Sequence, residues 1–172
     1  MPIQRLNHAV LFVRDVDTSA AFYIEVLGFR PVMQLPGQAV FLQAEGSTND
    51  HDLGLFHLGA EAGPSGAGRT TVGLYHLAWE VDTLAELGRV REALTQADAL
   101  RGGSDHGSTK ALYAHDPDGI EFEVSWLVPA DQLDGGEHDD PMIAPLDLDA
   151  EIARYGADTA GGVGVSHAVR AG

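Results

Sequence analysis

The sequence predicts an α+β fold: two tandem βαβββ modules forming a curved mixed sheet around a cleft. Three observations carry that reading. The stretches "LNHAVLFVRDVDTSAAFYIEVLGF" at 6–29 and "GLYHLAWEVDTLAEL" at 73–87 each run from an apolar β pattern into an amphipathic helix pattern, and their histidines align with an offset of 68 residues. Each is followed by short apolar runs broken by turn residues. The segment "DPDG" at 116–119, set between two alternating runs, is a strong turn signal.

The elements follow in order. An apolar, β-branched run over 6–15 reads as a strand, and "DVDTSAAFYIEVLGF" as a helix. Asp17 is the expected N-cap, Phe22, Tyr23, Val26 and Leu27 share one face, and Gly28 closes the helix. Strands are expected at 29–34, 38–45 and 51–58, which completes a first module over about 3–58. The Gly-, Ala- and Ser-rich segment 59–72 reads as a linker. The second module, about 73–128, opens with a strand at 73–81. Asp82 is then expected to cap a helix with a stripe of Leu84, Leu87, Val90 and Leu94. A weak strand near 97–101, a Gly-rich turn "RGGSDHGS", and strands at 109–115 and 120–127 complete it. Residues 1–128 thus read as a single domain. Beyond them, 129–172 is an acidic, Gly-rich tail with a short helix expected over 147–155 and a mobile, low-complexity end.

Composition excludes several function classes. A formal net charge of −16, with ten Lys and Arg in all, argues against nucleic acid and anionic lipid as partners. Nine carboxylates against Arg154 and Arg170 put much of that acidity in the tail. With no cysteine, disulfides, zinc–thiolate sites, iron–sulfur clusters and thiol nucleophiles are all ruled out. Any metal must be held by His, Asp, Glu, Tyr or backbone oxygen. No run spans a bilayer and the first residues lack signal-peptide order, so a soluble cytoplasmic protein is expected.

Side chains alternate along a strand, so parity decides which potential ligands share a face. His8 lies with Val10 and Phe12, and His76 with Leu74, Ala78 and Glu80. In the last strand Glu121, Glu123 and Ser125 share one face, while Phe122, Val124 and Trp126 form the apolar other. A lone strand histidine is more often a half-buried, hydrogen-bonded residue than a ligand. Two at equivalent places in a repeat, with a carboxylate strand closing the second unit, point instead to the 2-His-1-carboxylate set that holds mononuclear Fe(II). The loops "HDPDG" and "GGSDHG" lack the ligand spacing of an EF-hand or P-loop and read as turns.

Over about residues 3–127 the sequence resembles the vicinal oxygen chelate superfamily, which includes glyoxalase I, extradiol ring-cleaving dioxygenases, and fosfomycin- and bleomycin-resistance proteins. The stretches that carry the resemblance are the two quoted above, "HDLGLFHLG", and "DHGSTKALYAHDPDGIEFEVSW". The resemblance implies metal ligands at His8 and His76, and at Glu123, seven residues past the first Asp of "DPDG". Glu121 has the right parity and lies two residues nearer the turn. The last stretch is most similar to the extradiol dioxygenases, in which a Tyr stands ten residues before the ligand Glu, as Tyr113 does here.

That likeness implies an aromatic vicinal diol, a catechol, and O2 as substrates. Fe(II) is the implied cofactor, with Mn, Ni or Zn as other metals. Tyr113 would hydrogen-bond the diol oxygen, His51 would act as acid and base, and His106 would hold the substrate's charge. Their plain alternatives are a strand tyrosine, a turn residue and a loop histidine. The superfamily commonly forms dimers, which extends to this chain as a homodimer. Glyoxalase I has a fourth ligand at the first-module counterpart of Glu123. The offset puts that position at Leu55, which cannot bind metal; a two-residue slip would bring in His57. A glyoxalase-type isomerase and a metal-free small-molecule binding protein are the competing readings.

Overall fold

The computed structural model describes residues 3, 5–67, 70–133 and 143–162. Of these, residues up to Gly66 together with Asp116–Ile120 form one compact unit, and Ala67–His115 with the residues from Glu121 onward form a second. Two mixed sheets, of four and five strands, and few helices make this an α+β protein. Among the described residues no helix is long and apolar enough to cross a membrane.

The first unit runs β1 (Ala9–Val13), α1 (Val16–Leu27), β2 (Arg30–Leu35), β3 (Ala39–Gln43) and β4 (Leu53–His57). Its sheet order is β1-β4-β3-β2, with β1 and β4 parallel and the other pairs antiparallel. A parallel pair cannot be closed by a tight hairpin, so the chain crosses over through α1, and one sheet face becomes the core. On β1, Leu11 and Val13 face that core, while Val10 and Phe12 stay exposed.

Helix α1 starts one position pair earlier than expected. Asp15, not Asp17, is the N-cap, its carboxylate accepting from Thr18 N at 2.7 Å, which leaves Asp17 in the first turn. Gly28, at φ 75°, ends the helix in the left-handed region. The helix buries Val16, Ser19, Ala20, Tyr23 and Val26, with Phe22 and Leu27 half-buried. The "DPDG" turn belongs to this unit. Asp116 Oδ1 accepts from Asp118 N at 2.9 Å and Ile120 N at 2.8 Å, and Gly119 takes φ 80°. Tyr23 Oη donates to Asp116 Oδ2 at 3.2 Å, and Arg14 pairs with Asp118 at 2.6 Å. Burial raises the carboxyl of Asp116 above its ordinary range.

The second unit repeats the plan with β5 (Leu77–Glu80), α2 (Leu84–Gln96), β6 (Leu100–Asp105), β7 (Thr109–His115) and β8 (Glu121–Leu127). It then adds a 3-10 turn (Ala130–Gln132), β9 (Ala144–Pro145) and α3 (Leu148–Tyr155). The order is β5-β8-β7-β6-β9, again with first and last strands of the repeat parallel. Thr83 rather than Asp82 caps α2, its hydroxyl accepting from Glu86 N at 3.2 Å. Leu84, Leu87, Val90 and Leu94 are all buried.

"RGGSD" is strand, not turn. It pairs with β7 from Leu100 to Asp105, and only His106–Ser108 turn the chain. Glycine's weak strand preference is overridden here by ladder pairing with a well-buried neighbour.

The C-terminal segment 143–162 packs on this unit, where a mobile end was expected from Ala157 on. Leu148 of α3 is 1% exposed and sits over Gly88 of α2. Lys110, also 1% exposed, meets Asp105 at 2.5 Å and Glu151 at 3.0 Å, so each buried charge has an opposite partner. Trp126 Nε1 donates to Thr159 O at 3.2 Å, and Ala85 N to Ala157 O at 2.8 Å. Residues 134–142 and 163–172, which hold the rest of the expected tail, lie outside the described residues. If α3 is part of the core, Leu148→Ala should lower unfolding free energy by about 2–5 kcal/mol in denaturant titration. A loss within experimental error would show that the segment is a dispensable appendage.

Candidate metal centre

In the second unit β5 and β8 are parallel neighbours with Ala78 opposite Glu123. His76 precedes β5 by one residue and shares the parity of Ala78, so its ring reaches the open face on which Glu123 projects. His76 Nε2 lies 3.4 Å from Glu123 Oε2, with side chains 26% and 13% exposed. His76 Nδ1 is buried and has no partner among the described residues. Glu121 lines the hollow beside His76 as well but does not touch it. It stands opposite His115 in register and meets its Nε2 at 3.6 Å.

Tyr113 of β7 is the direct cross-strand neighbour of Glu123. Its phenol lies against that carboxylate, and its ring centroid is 5.9 Å from that of His76. Burial first, then the negative charge of Glu123, pushes the phenol up to about 12. His106 Nε2 is 3.0 Å from Tyr113 Oη. A phenol has one proton; directed at Glu123, it leaves the oxygen to accept from an Nε2-protonated His106. Burial also raises the carboxyl of Glu80, two residues beyond Ala78 on the same face.

The remaining sequence-predicted residues lie in the first unit. His8, just ahead of β1, has Nδ1 2.6 Å from Asn7 Oδ1, and its ring stacks on that of His51 with centroids 4.4 Å apart. A proton held on Nδ1 by Asn7 leaves Nε2 as the donor atom, the arrangement that orients a metal-binding imidazole. His51, in the loop before β4, has Nδ1 3.2 Å from Asp50 Oδ1 and packs edge-on to Phe41.

The first-module counterpart of Glu123 is Gly54, not Leu55. In the matching parallel pair, Val10, the repeat partner of Ala78, stands opposite Gly54. The modules differ by one residue between strands, which the 68-residue offset did not include. Leu55 is wholly buried in the core. His57 has the parity opposite to Gly54 and stands at the far end of β4 from His51, so it does not join His8.

Among the described residues no group of three or more His, Cys, Asp or Glu that could hold a metal is gathered; His76 and Glu123 are two donors that could share a divalent ion. Donors 3.4 Å apart match two ligands each held about 2.1 Å from one ion at an angle of about 110°. Imidazole and carboxylate suit iron, manganese, nickel or zinc. Beside the pair lies a hollow of about 490 Å³ walled by Tyr75, His76, Ser104, His106, Tyr113 and Glu121 among others. Sequence reading missed Tyr75 and Ser104, whose place in the wall follows from strand packing and leaves no local motif.

A family model described as the Glyoxalase/Bleomycin resistance protein/Dioxygenase superfamily matches residues 5–124. The chain is 32% identical over 122 residues to a catechol-2,3-dioxygenase of Bacillus subtilis (strain 168), covering 69% of this chain and 40% of that protein. It is 31% identical over 153 residues to biphenyl-2,3-diol 1,2-dioxygenase 3 of Rhodococcus globerulus, covering 82% and 76% respectively. The chain therefore spans less than half of the Bacillus relative. A glyoxylase/bleomycin resistance protein/dioxygenase domain from Frankia sp. EAN1pec superposes with a TM-score of 0.64 at 22% identity, over 81% of this chain and all of that one, a likeness of fold.

The Tyr113–Glu123 contact has a spectroscopic consequence. With ¹³Cζ-labelled tyrosine, Tyr113 should titrate near 12, against an ordinary 10. Glu123→Gln should move that midpoint down, because losing a negative neighbour favours the phenolate; burial, the larger cause, keeps it above 10. An unmoved midpoint would mean that the carboxylate does not act on the phenol.

Proposed function

This chain belongs to the glyoxalase/bleomycin resistance protein/dioxygenase superfamily, and on that premise we propose that it is an extradiol-type dioxygenase. In this reading it opens an aromatic vicinal diol with O2 and uses Fe(II). The observation that carries the proposal is the His76–Glu123 pair at 3.4 Å, set beside the phenol of Tyr113. The resemblance assigns the third donor to His8, whose Nε2 is the atom left for a metal by the Asn7 contact at Nδ1. When bound by two imidazoles and a carboxylate, Fe(II) supplies open coordination positions and one-electron chemistry.

The chain's own residues then have distinct tasks. Tyr113 stays protonated far above neutral pH, so its phenol can turn its one proton from Glu123 to an anionic diol oxygen when substrate is bound. His106 holds that phenol in place through its 3.0 Å contact. The resemblance gives His51 the part of acid and base. The similarity to two aromatic-diol dioxygenases supports O2 chemistry over isomerisation. Gly54 at the counterpart of Glu123 supports three protein donors rather than four.

Anaerobic reconstitution with Fe(II) and an oxygen electrode test the proposal. One iron per chain and O2 uptake with a panel of catechols are expected. His76→Ala should weaken iron binding by more than about a hundredfold, beyond the cost of losing an outer-sphere partner. Metal-dependent turnover without O2 uptake would replace the proposal with an isomerase. Full iron occupancy in the His76→Ala protein would remove the site assignment.

A further inference from the structure

Strand β6 carries an irregularity where it pairs with β7: Leu100 stands opposite Ala114 and Gly102 opposite Tyr113, with Arg101 as the extra residue between them. A bulge of this kind re-aims one side chain without ending the ladder. Here it turns Arg101 to the face that carries Tyr113 and His115. Arg101 Nε donates to His115 Nδ1 at 3.2 Å, and Arg101 lines the hollow beside His76 and Tyr113. The next residue, Gly102, also lines the hollow, and a Cβ there would meet nothing within 4 Å.

Among the described residues no carboxylate pairs with Arg101. Its hydrogen bonds go to His115 Nδ1 and the Leu100 carbonyl, neither of them anionic. Accepting at Nδ1 places the His115 proton on Nε2, 3.6 Å from Glu121 Oε2, so Glu121 is engaged by that imidazole. Arg14 is matched by Asp118, Arg89 by Glu86, Arg91 by Asp149, and Lys110 by Asp105 and Glu151, while Arg5, Arg30 and Arg154 meet Thr48, Gln43 and the Tyr155 ring and, unlike Arg101, do not line this hollow. Among the described residues Arg101, exposed in the wall of the hollow, meets no carboxylate, so its guanidinium can take an anion from outside.

We infer that Arg101 is a specificity-determining residue that binds a carboxylate carried on the aromatic ring of the substrate. The planar guanidinium fork matches a carboxylate in two parallel hydrogen bonds, a fit that a lysine or a neutral amide does not reproduce. This assignment rests on the reading of the site as a place for an aromatic diol, and the test separates the two.

Calorimetric titration of protein reconstituted with Zn(II), which supports binding without oxygen chemistry, uses catechol, 3,4-dihydroxybenzoate and benzoate as probes. Wild type should bind 3,4-dihydroxybenzoate about tenfold to a hundredfold more tightly than catechol. Arg101→Gln should bring those affinities within about twofold of each other by weakening the carboxylated probe, and Arg101→Lys should retain part of the preference. Equal affinities in wild type, an undiminished preference in Arg101→Gln, or no binding of either carboxylate overturns the assignment. If wild type binds both carboxylates, ignores catechol, and loses both in Arg101→Gln, the arginine assignment stands and the diol reading fails.

Discussion

Everything in each unit depends on the parallel pairing of its first strand with its last. Such a pair can be joined only by a crossover, and the crossover helix must cover one face of the sheet. Helices α1 and α2 do so, burying Leu11 and Val13 in one unit and Phe122, Val124 and Trp126 in the other. The face left uncovered is where polar side chains from adjacent strands can meet. The register Ala78 opposite Glu123 sets how near a histidine ahead of β5 comes to a carboxylate on β8.

The second unit builds more on this plan than the first. Its core face is closed further by α3 and the segment that follows, with Lys110 buried between Asp105 and Glu151 and Trp126 bonded to Thr159 O. On the open face, imidazole, carboxylate and phenol lie together, the phenol set between Glu123 and His106, while His76 Nδ1 has no partner among the described residues. The first unit's open face is aromatic instead. Phe12, Phe41 and Phe56 pack edge to face, with His51 and His8 at one end.

Much of this was legible in the sequence, because parity and repetition are local signals. The α+β class follows from alternation and repetition; Tyr113 is singled out by the resemblance, and the strand pairing makes it the neighbour of Glu123. The misreadings have physical causes. Asp15 and Thr83 outcompeted Asp17 and Asp82 because a cap is decided by which side chain reaches the amide three residues on, and each stretch offers two candidates. "RGGSD" reads as turn by composition, and its strand pairing is a tertiary effect. Leu55 was taken for the counterpart of Glu123 because a fixed offset cannot register a one-residue difference between modules; strand pairing puts Gly54 there. Arg101 left no signal, since a bulge becomes visible only once both strands are paired.

The central claim is that His76 and Glu123 bind one divalent ion together. It is tested most directly by titrating ¹⁵N-histidine-labelled protein with Zn(II) and following the imidazole resonances by NMR. The side-chain signals of His76 should shift and saturate at one equivalent, with His57 unmoved, and Glu123→Gln should weaken that response. An unmoved His76, or an undiminished response in Glu123→Gln, would contradict it.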